Sequence, residues 1–240
     1  MLFSNFTISR RPLLGGIALL LFIAACVVFA PKEEKATTAQ TDKPALTAEQ
    51  QREQDAEQQQ FIPQHFGGEV TSGTQYDLVQ RVGTALATHG DAKNSRKPIR
   101  FHLLAESIYI NIYAIPTGDV YVTTALVNRM HTEGELAAAL AGAVAHVLSG
   151  HHMEITPALQ LQYTALQEKN TDARAVKLMG DAGYDPQAML GMFRNLVEAY
   201  NAHADVTFFT THPSSEDRIT KITESIKALY PSGVPASLSK

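Results

Sequence analysis

The 240-residue chain has no tryptophan and a single cysteine, Cys26. One thiol excludes an intrachain disulfide, and with it the cystine-stapled class of small secreted domains. Charge is also sparse: 18% of residues are charged, the formal net charge is −4, and no stretch is a basic block. A nucleic-acid partner is therefore not expected. With 45% hydrophobic residues, the composition excludes collagen-like and wholly disordered chains. The length suits one or two domains, and no internal repeat is visible.

What the first 30 residues do contain is an apolar run of 18, from Leu13 to Ala30, preceded by Arg10-Arg11 and followed by Pro31-Lys32-Glu33-Glu34-Lys35. Such a run is about the minimum for a spanning helix, since ~17–25 residues cross the hydrocarbon core. The basic flank on its N-terminal side predicts export of everything downstream. Three fates are open: a retained signal anchor, a signal peptide cleaved near Val28-Phe29-Ala30, or a lipoprotein signal. Ile23-Ala24-Ala25-Cys26 resembles a bacterial lipobox, which makes Cys26 a candidate lipid-attachment site. Pro31 is a poor residue just after a cut. Ser9-Arg10-Arg11 faintly resembles a twin-arginine signal.

Residues 31–60 hold seven Gln and eleven charged residues, with Leu46 as the only large aliphatic. A segment of that composition reads as a polar linker, although Thr47 and Gln50 can cap a short polar helix leading into the domain. The globular domain is then 61–230, with 231–240 a tail. Within it, Leu78, Val79, Val82 and Leu86 mark a helix over 74–88, with Gly90 able to close it. Residues 99–104, 108–115 and 119–123 read as strands, broken by the turn signal Pro116-Thr117-Gly118. Thr132 and Glu135 form a capping box for a helix to about Ser149. Thr156-Pro157 predicts a helix to about Met179, Asp185-Pro186 one to about Tyr200, and Ser214 or Ser215 opens the last. The expected fold is α+β: a mainly helical domain with a small, largely antiparallel sheet of Phe101–Leu104, Ile108–Ala114 and Asp119–Thr123.

Five segments carry the chemistry. They are Asn111–Val122, the helix from Glu135 through Gly142-Ala143-Val144-Ala145-His146, then Glu168–Asp172, Ala182–Pro186, and Thr211-His212-Pro213 with Arg218-Ile219. Taken in this order, over about 67–225, they resemble the gluzincin metallopeptidases of family forty-eight, the group that includes HtpX and the CaaX prenyl proteases. The resemblance implies a minigluzincin domain and a zinc-binding H-E-x-x-H helix. It also implies a glutamate on a second helix as third ligand, with an Asp four residues later that supports a ligating histidine. Asn111–Gly118 is similar to the edge strand beside which these enzymes lay their substrate. The resemblance places the protein in the bacterial envelope, with the domain on the periplasmic side.

At the motif itself the chain departs from the family, because the register reads G-A-V-A-H. Gly142 stands at the first zinc histidine and Ala143 at the general-base glutamate, so no catalytic residue is assigned. Gly142 cannot ligate and Ala143 cannot accept a proton. Losing general-base chemistry alone costs ~10²–10⁴-fold in rate. His146 and Glu168 remain, and His212 would complete a residual two-histidine, one-carboxylate metal set. His151 and His152 lie five and six residues past His146, off the same helical face.

Plainer readings stand beside these. His146 is equally read as a hydrogen-bonded core histidine, and Glu168 with Asp172 as a solvated acidic edge near Lys169 and Arg174. If those two carboxylates are buried, they call for a cation, a basic neighbour or a raised pKa. Six alanines in 137–145 suit tight packing of a central helix, or a groove that holds a peptide without cutting it.

The expectation is a membrane-tethered pseudoprotease that binds or regulates envelope proteins. No cofactor is required, although zinc is possible at the residual site. The alternatives are an atypical zinc endopeptidase of envelope quality control and a purely structural factor.

Overall fold

The computed structural model describes residues 47–151, 154–155, 161–163, 165–202, 208–212 and 216–238. All of them lie in one compact unit, Ala45–Lys240. The apolar run with Cys26, His152, Thr156-Pro157 and Ser214-Ser215 fall outside the described residues. Among the described residues no helix is long and apolar enough to cross a membrane.

The first helix, α1, spans Ala48–His65. Thr47 opens it with the expected capping box: Gln50 N donates to Thr47 Oγ1 at 3.2 Å, and Thr47 N to Gln50 Oε1 at 2.9 Å. The polar linker expected to reach residue 60 is thus helical from Ala48 onward. Few apolar residues hold it: Ile62 is buried with Leu104, Tyr113, Ile115, Tyr121 and Tyr163 in a small cluster of their own, and Gln58 is buried as well.

A second helix, α2 (Thr74–Ala87), buries Val79, Val82 and Leu86. It follows a two-residue strand, β1 (Glu69–Val70). The main strands are β2 (Arg100–Leu104), β3 (Ile112–Ala114) and β4 (Asp119–Thr123). They pair in the order β1-β2-β4-β3. The outer pairings, β1 with β2 and β3 with β4, are antiparallel, whereas the central pair β2–β4 is parallel over Arg100↔Asp119 to Leu104↔Thr123. The sheet is therefore mixed. Gly118 (φ +98°) makes the tight β3–β4 turn that its sequence announces, and its N–H donates to the Ile115 carbonyl at 3.0 Å.

The strand expected over 108–115 is shorter than its composition suggests. Glu106 Oε1 accepts the N–H groups of Ile108 (2.6 Å) and Tyr109 (3.0 Å), turning the chain outward. Ile108 and Tyr109 are exposed in consequence.

After the short helix α3 (Thr124–Val127) comes α4 (Glu133–Leu148), capped by Thr132 and Glu135. Helix α4 is the centre of the main core, with Leu136, Leu140, Val144 and all six of its alanines in 137–145 buried. Its small side chains let α2, α5 (Ala165–Asp181) and α6 (Ala188–Asn201) pack closely around it. A two-stranded hairpin, β5 (Glu154–Ile155) with β6 (Leu161–Gln162), precedes α5. The helix expected from Pro157 therefore begins only at Ala165. The last elements are α7 (Phe208–Thr211) and α8 (Glu216–Leu229).

Candidate metal centre

Four elements deliver the site. Helix α4 supplies His146 from its last turn, and α5 supplies Glu168, Thr171 and Asp172 at positions i, i+3 and i+4, which share one helical face. His212 directly follows α7, its N–H bonded to the Phe208 carbonyl at 2.7 Å, and Arg218 comes from the first turn of α8. His146, Glu168, Asp172, His212 and Arg218 are all buried. The reading of Glu168 and Asp172 as a solvated edge is overturned. Arg174, once placed beside them, pairs instead with Asp91 at 2.6 Å.

The ligand atoms of His146, Glu168 and His212 all lie within 4.8 Å of one another. Glu168 Oε1 is 3.4 Å from His146 Nε2, while its second oxygen, Oε2, is 2.5 Å from the Arg218 guanidinium. Arg218 also donates through Nε and Nη2 to the two oxygens of Asp172, at 2.6 and 2.8 Å. Its guanidinium lies over the Phe193 ring, 4.7 Å from the centroid. Two buried carboxylates thus share one cation, the basic neighbour that their burial calls for.

Burial pushes the His146 imidazole down to about 2, helped by His151 and Arg218. His212 is pushed down to about 3, again chiefly by burial. Both rings are therefore neutral, the form that ligates metal. Burial raises Asp172 above the usual carboxylate range, against the pull of Arg218. Burial opposes the Arg218 charge too, but the Asp172 bonds outweigh it and leave the guanidinium firmly protonated.

Donor type, burial and mutual distance all fit zinc: two neutral imidazoles and one carboxylate oxygen, with the other carboxylate oxygen occupied by Arg218. Bound there, the ion would be held by His146, Glu168 and His212, and would polarise a carbonyl or acidify water.

A cavity of about 20 Å³, room for about one water, is lined by Gly142, Ala143, His146, His212, Asp172 and Arg218 together with apolar side chains. Gly142 and Ala143 thus face the same space as His146 and His212. A Cβ placed on Gly142 would meet nothing within 4 Å, so packing does not require glycine there.

Three neighbours were given no role at the site from the sequence. Tyr163 stacks on His146 with ring centroids 3.5 Å apart, and its hydroxyl donates to the Ala114 carbonyl of β3 at 3.3 Å. Thr171 Oγ1 lies 3.4 Å from His146 Nε2. Arg218 was legible only as a member of the His-Pro segment, not as the partner of Asp172. His151 does approach, its Nδ1 being 3.2 Å from His146 Nδ1, but on the ring nitrogen opposite Glu168.

A helix-borne histidine facing a glutamate and an Asp four residues on, in a mainly helical domain with a small mixed sheet, marks a gluzincin-type metallopeptidase scaffold. The sequence model of Peptidase family M48 matches residues 74–158 and 153–226, and the chain belongs to that family. Among curated proteins it is similar to a putative beta-barrel assembly-enhancing protease of Vibrio cholerae serotype O1, 25% identical over 180 residues. That match covers 58% of this chain but 37% of the relative, so the chain spans well under half of the relative's length.

Proposed function

We propose that this M48 domain has given up peptide hydrolysis and keeps the scaffold to hold polypeptides of the bacterial envelope, tethered to a membrane through residues 1–30. The observation that supports this is the cavity beside His146. Gly142 and Ala143 line it without an ionisable group, and the carboxylate that lines it with them, Asp172, is gripped by Arg218. Hydrolysis in a zinc peptidase needs a base to take the proton of the attacking water. Of the described residues that line the cavity, Asp172 is the one carboxylate.

The name of the Vibrio relative supports an envelope role, and the exported orientation of the apolar run agrees with it. Purified protein should leave unfolded casein intact with or without added zinc. Robust, chelator-sensitive cleavage that is lost in His146→Ala would overturn the reading.

A second reading is favoured by the three ligand atoms within 4.8 Å: an atypical zinc peptidase built on His146, Glu168 and His212. Zinc analysis separates the readings only together with the casein assay, since a bound ion without cleavage is a scaffold and not an enzyme.

A further inference from the structure

A cavity of about 410 Å³ adjoins the seam between β3 and α4 and shares no lining residue with the small cavity beside His146. Pro116, two residues past β3, lines it on one side, and Val147, the residue after His146, on the other. Among its described lining residues the charged ones are mostly basic: Arg96, Lys97 and Arg174 stand against one acid, Asp91, beside the neutral polar Asn94 and Ser95.

Two of these cations are fixed by neighbours. Arg174 donates through Nε and Nη2 to Asp91 Oδ2 at 2.8 and 2.6 Å, and through Nη1 to Ser149 Oγ at 3.1 Å. Lys97 Nζ donates to the Pro116 carbonyl at 2.5 Å. The Arg174–Asp91 pair cancels, and a carbonyl carries no charge. Three bases less one acid leave the described lining of the cavity at +2. The surrounding chain has the opposite sign: of the total of −4, residues 1–30 carry +2 and 31–60 carry −3, leaving −3 for residues 61–240.

We propose that this cavity is a binding site for the carboxylate side chain of an acidic peptide that lies along the β3–α4 seam. N–H donors around a carboxylate make charge-assisted hydrogen bonds, shorter and stronger than neutral ones. A recess with two uncompensated charges is too small a footprint for nucleic acid, whose binders neutralise several phosphates. The approach of a peptide rests on the function proposed above; the charge of the cavity does not.

Fluorescence anisotropy of the full chain with a labelled Glu-containing extended peptide and its Glu→Gln twin tests this. The acidic peptide should bind about tenfold tighter, an advantage that shrinks as salt rises. Arg96→Glu with Lys97→Glu, both exposed and neither lining the buried cavity, should abolish it while circular dichroism stays unchanged. Equal binding of the two peptides overturns the cavity assignment and leaves peptide holding intact. If neither peptide binds, glutarate decides. A chemical shift change at the Arg174 Nε–H that disappears in the double variant supports the carboxylate site while peptide holding fails. No response to glutarate overturns the site. Binding to anionic vesicles in place of either peptide overturns it in favour of a lipid surface.

Discussion

Arg218 grips Asp172 through two hydrogen bonds, of 2.6 and 2.8 Å, and reaches Glu168 with the same guanidinium at 2.5 Å. One cation from α8 thereby serves two carboxylates from α5 in a region closed to water. Removing it would leave both acids buried without their counter-charge, a loss of about 3–5 kcal/mol. Arg218→Leu should therefore unfold at markedly lower urea, while Arg218→Leu combined with Asp172→Leu should recover part of the loss. A double-mutant cycle by urea denaturation measures this coupling. Additive losses would mean that the pair is not the unit that holds α8 to α5.

A second charged network ties α1 and the sheet together. Asp119 is buried and accepts from Arg100 Nε (2.6 Å), Gln59 Nε2 (2.8 Å) and Thr117 Oγ1 (2.5 Å). His102 bridges Asp119 Oδ1 at 3.0 Å and Glu69 Oε2 at 3.1 Å. Burial opposes a charge on His102, but the bonds to Asp119 and Glu69 outweigh it and raise the imidazole above 6.5. Burial likewise opposes the Asp119 charge, and its donors hold it well below the usual carboxylate range.

The signs follow by linkage. The His102 contribution is complete below the unfolded pKa of about 6.5 and disappears as pH rises through the higher folded value. The Asp119 contribution is present above about 3.9 and survives into strong acid. Unfolding free energies of wild type and His102→Gln, measured from pH 5 to 9, should converge as pH rises. A gap that is constant with pH would refute the bridge.

Gly83 faces a different constraint. A Cβ there would stand 2.4 Å from Phe101 Cδ2, so α2 can approach β2 only because residue 83 has no side chain. Gly83→Ala gains helix propensity of at most about 1 kcal/mol and forces the ring aside at a cost of about 1–3 kcal/mol. A net fall in melting temperature is expected, and Phe101→Leu in the same chain should relieve it.

Local signals in the sequence carried the starts of α1 and α4, but not that of α5, and little of what meets what. Thr47 with Gln50, and Thr132 with Glu135, lie three residues apart, so both caps could be read directly. The His146, Glu168 and His212 set was legible because a family resemblance ordered the segments. The parallel pairing of β2 with β4 was not legible, because a parallel ladder leaves no local mark. β3 was overestimated because Ile108 and Tyr109 are good strand residues that the Glu106 side chain turns outward. Arg218 and Tyr163 reach the site from distant parts of the chain: Arg218 lies 46 residues from Asp172, and Tyr163 lies 49 from Ala114.

If the proposed loss of hydrolysis comes from Gly142 and Ala143, restoring the missing side chains should restore chemistry. The first atom is accommodated: a Cβ on Gly142 meets nothing within 4 Å, and both residues line the cavity beside His146, which with room for about one water must widen to take the longer side chains. Replacing a mid-helix glycine also removes a helix penalty of about 0.3–1 kcal/mol relative to ordinary residues. Gly142→His would place an imidazole one turn before His146, the spacing at which two histidines share a metal. It would also stand near Asp172, which Arg218 now occupies. Gly142→His alone should raise zinc affinity without activity, since Ala143 still offers no base. Ala143→Glu alone should do neither. The pair should bind stoichiometric zinc and cleave casein in a chelator-sensitive manner. A folded, zinc-loaded double variant that remains inert would show that the two positions are not the cause, and would move attention to Tyr163, whose hydroxyl occupies the carbonyl of β3.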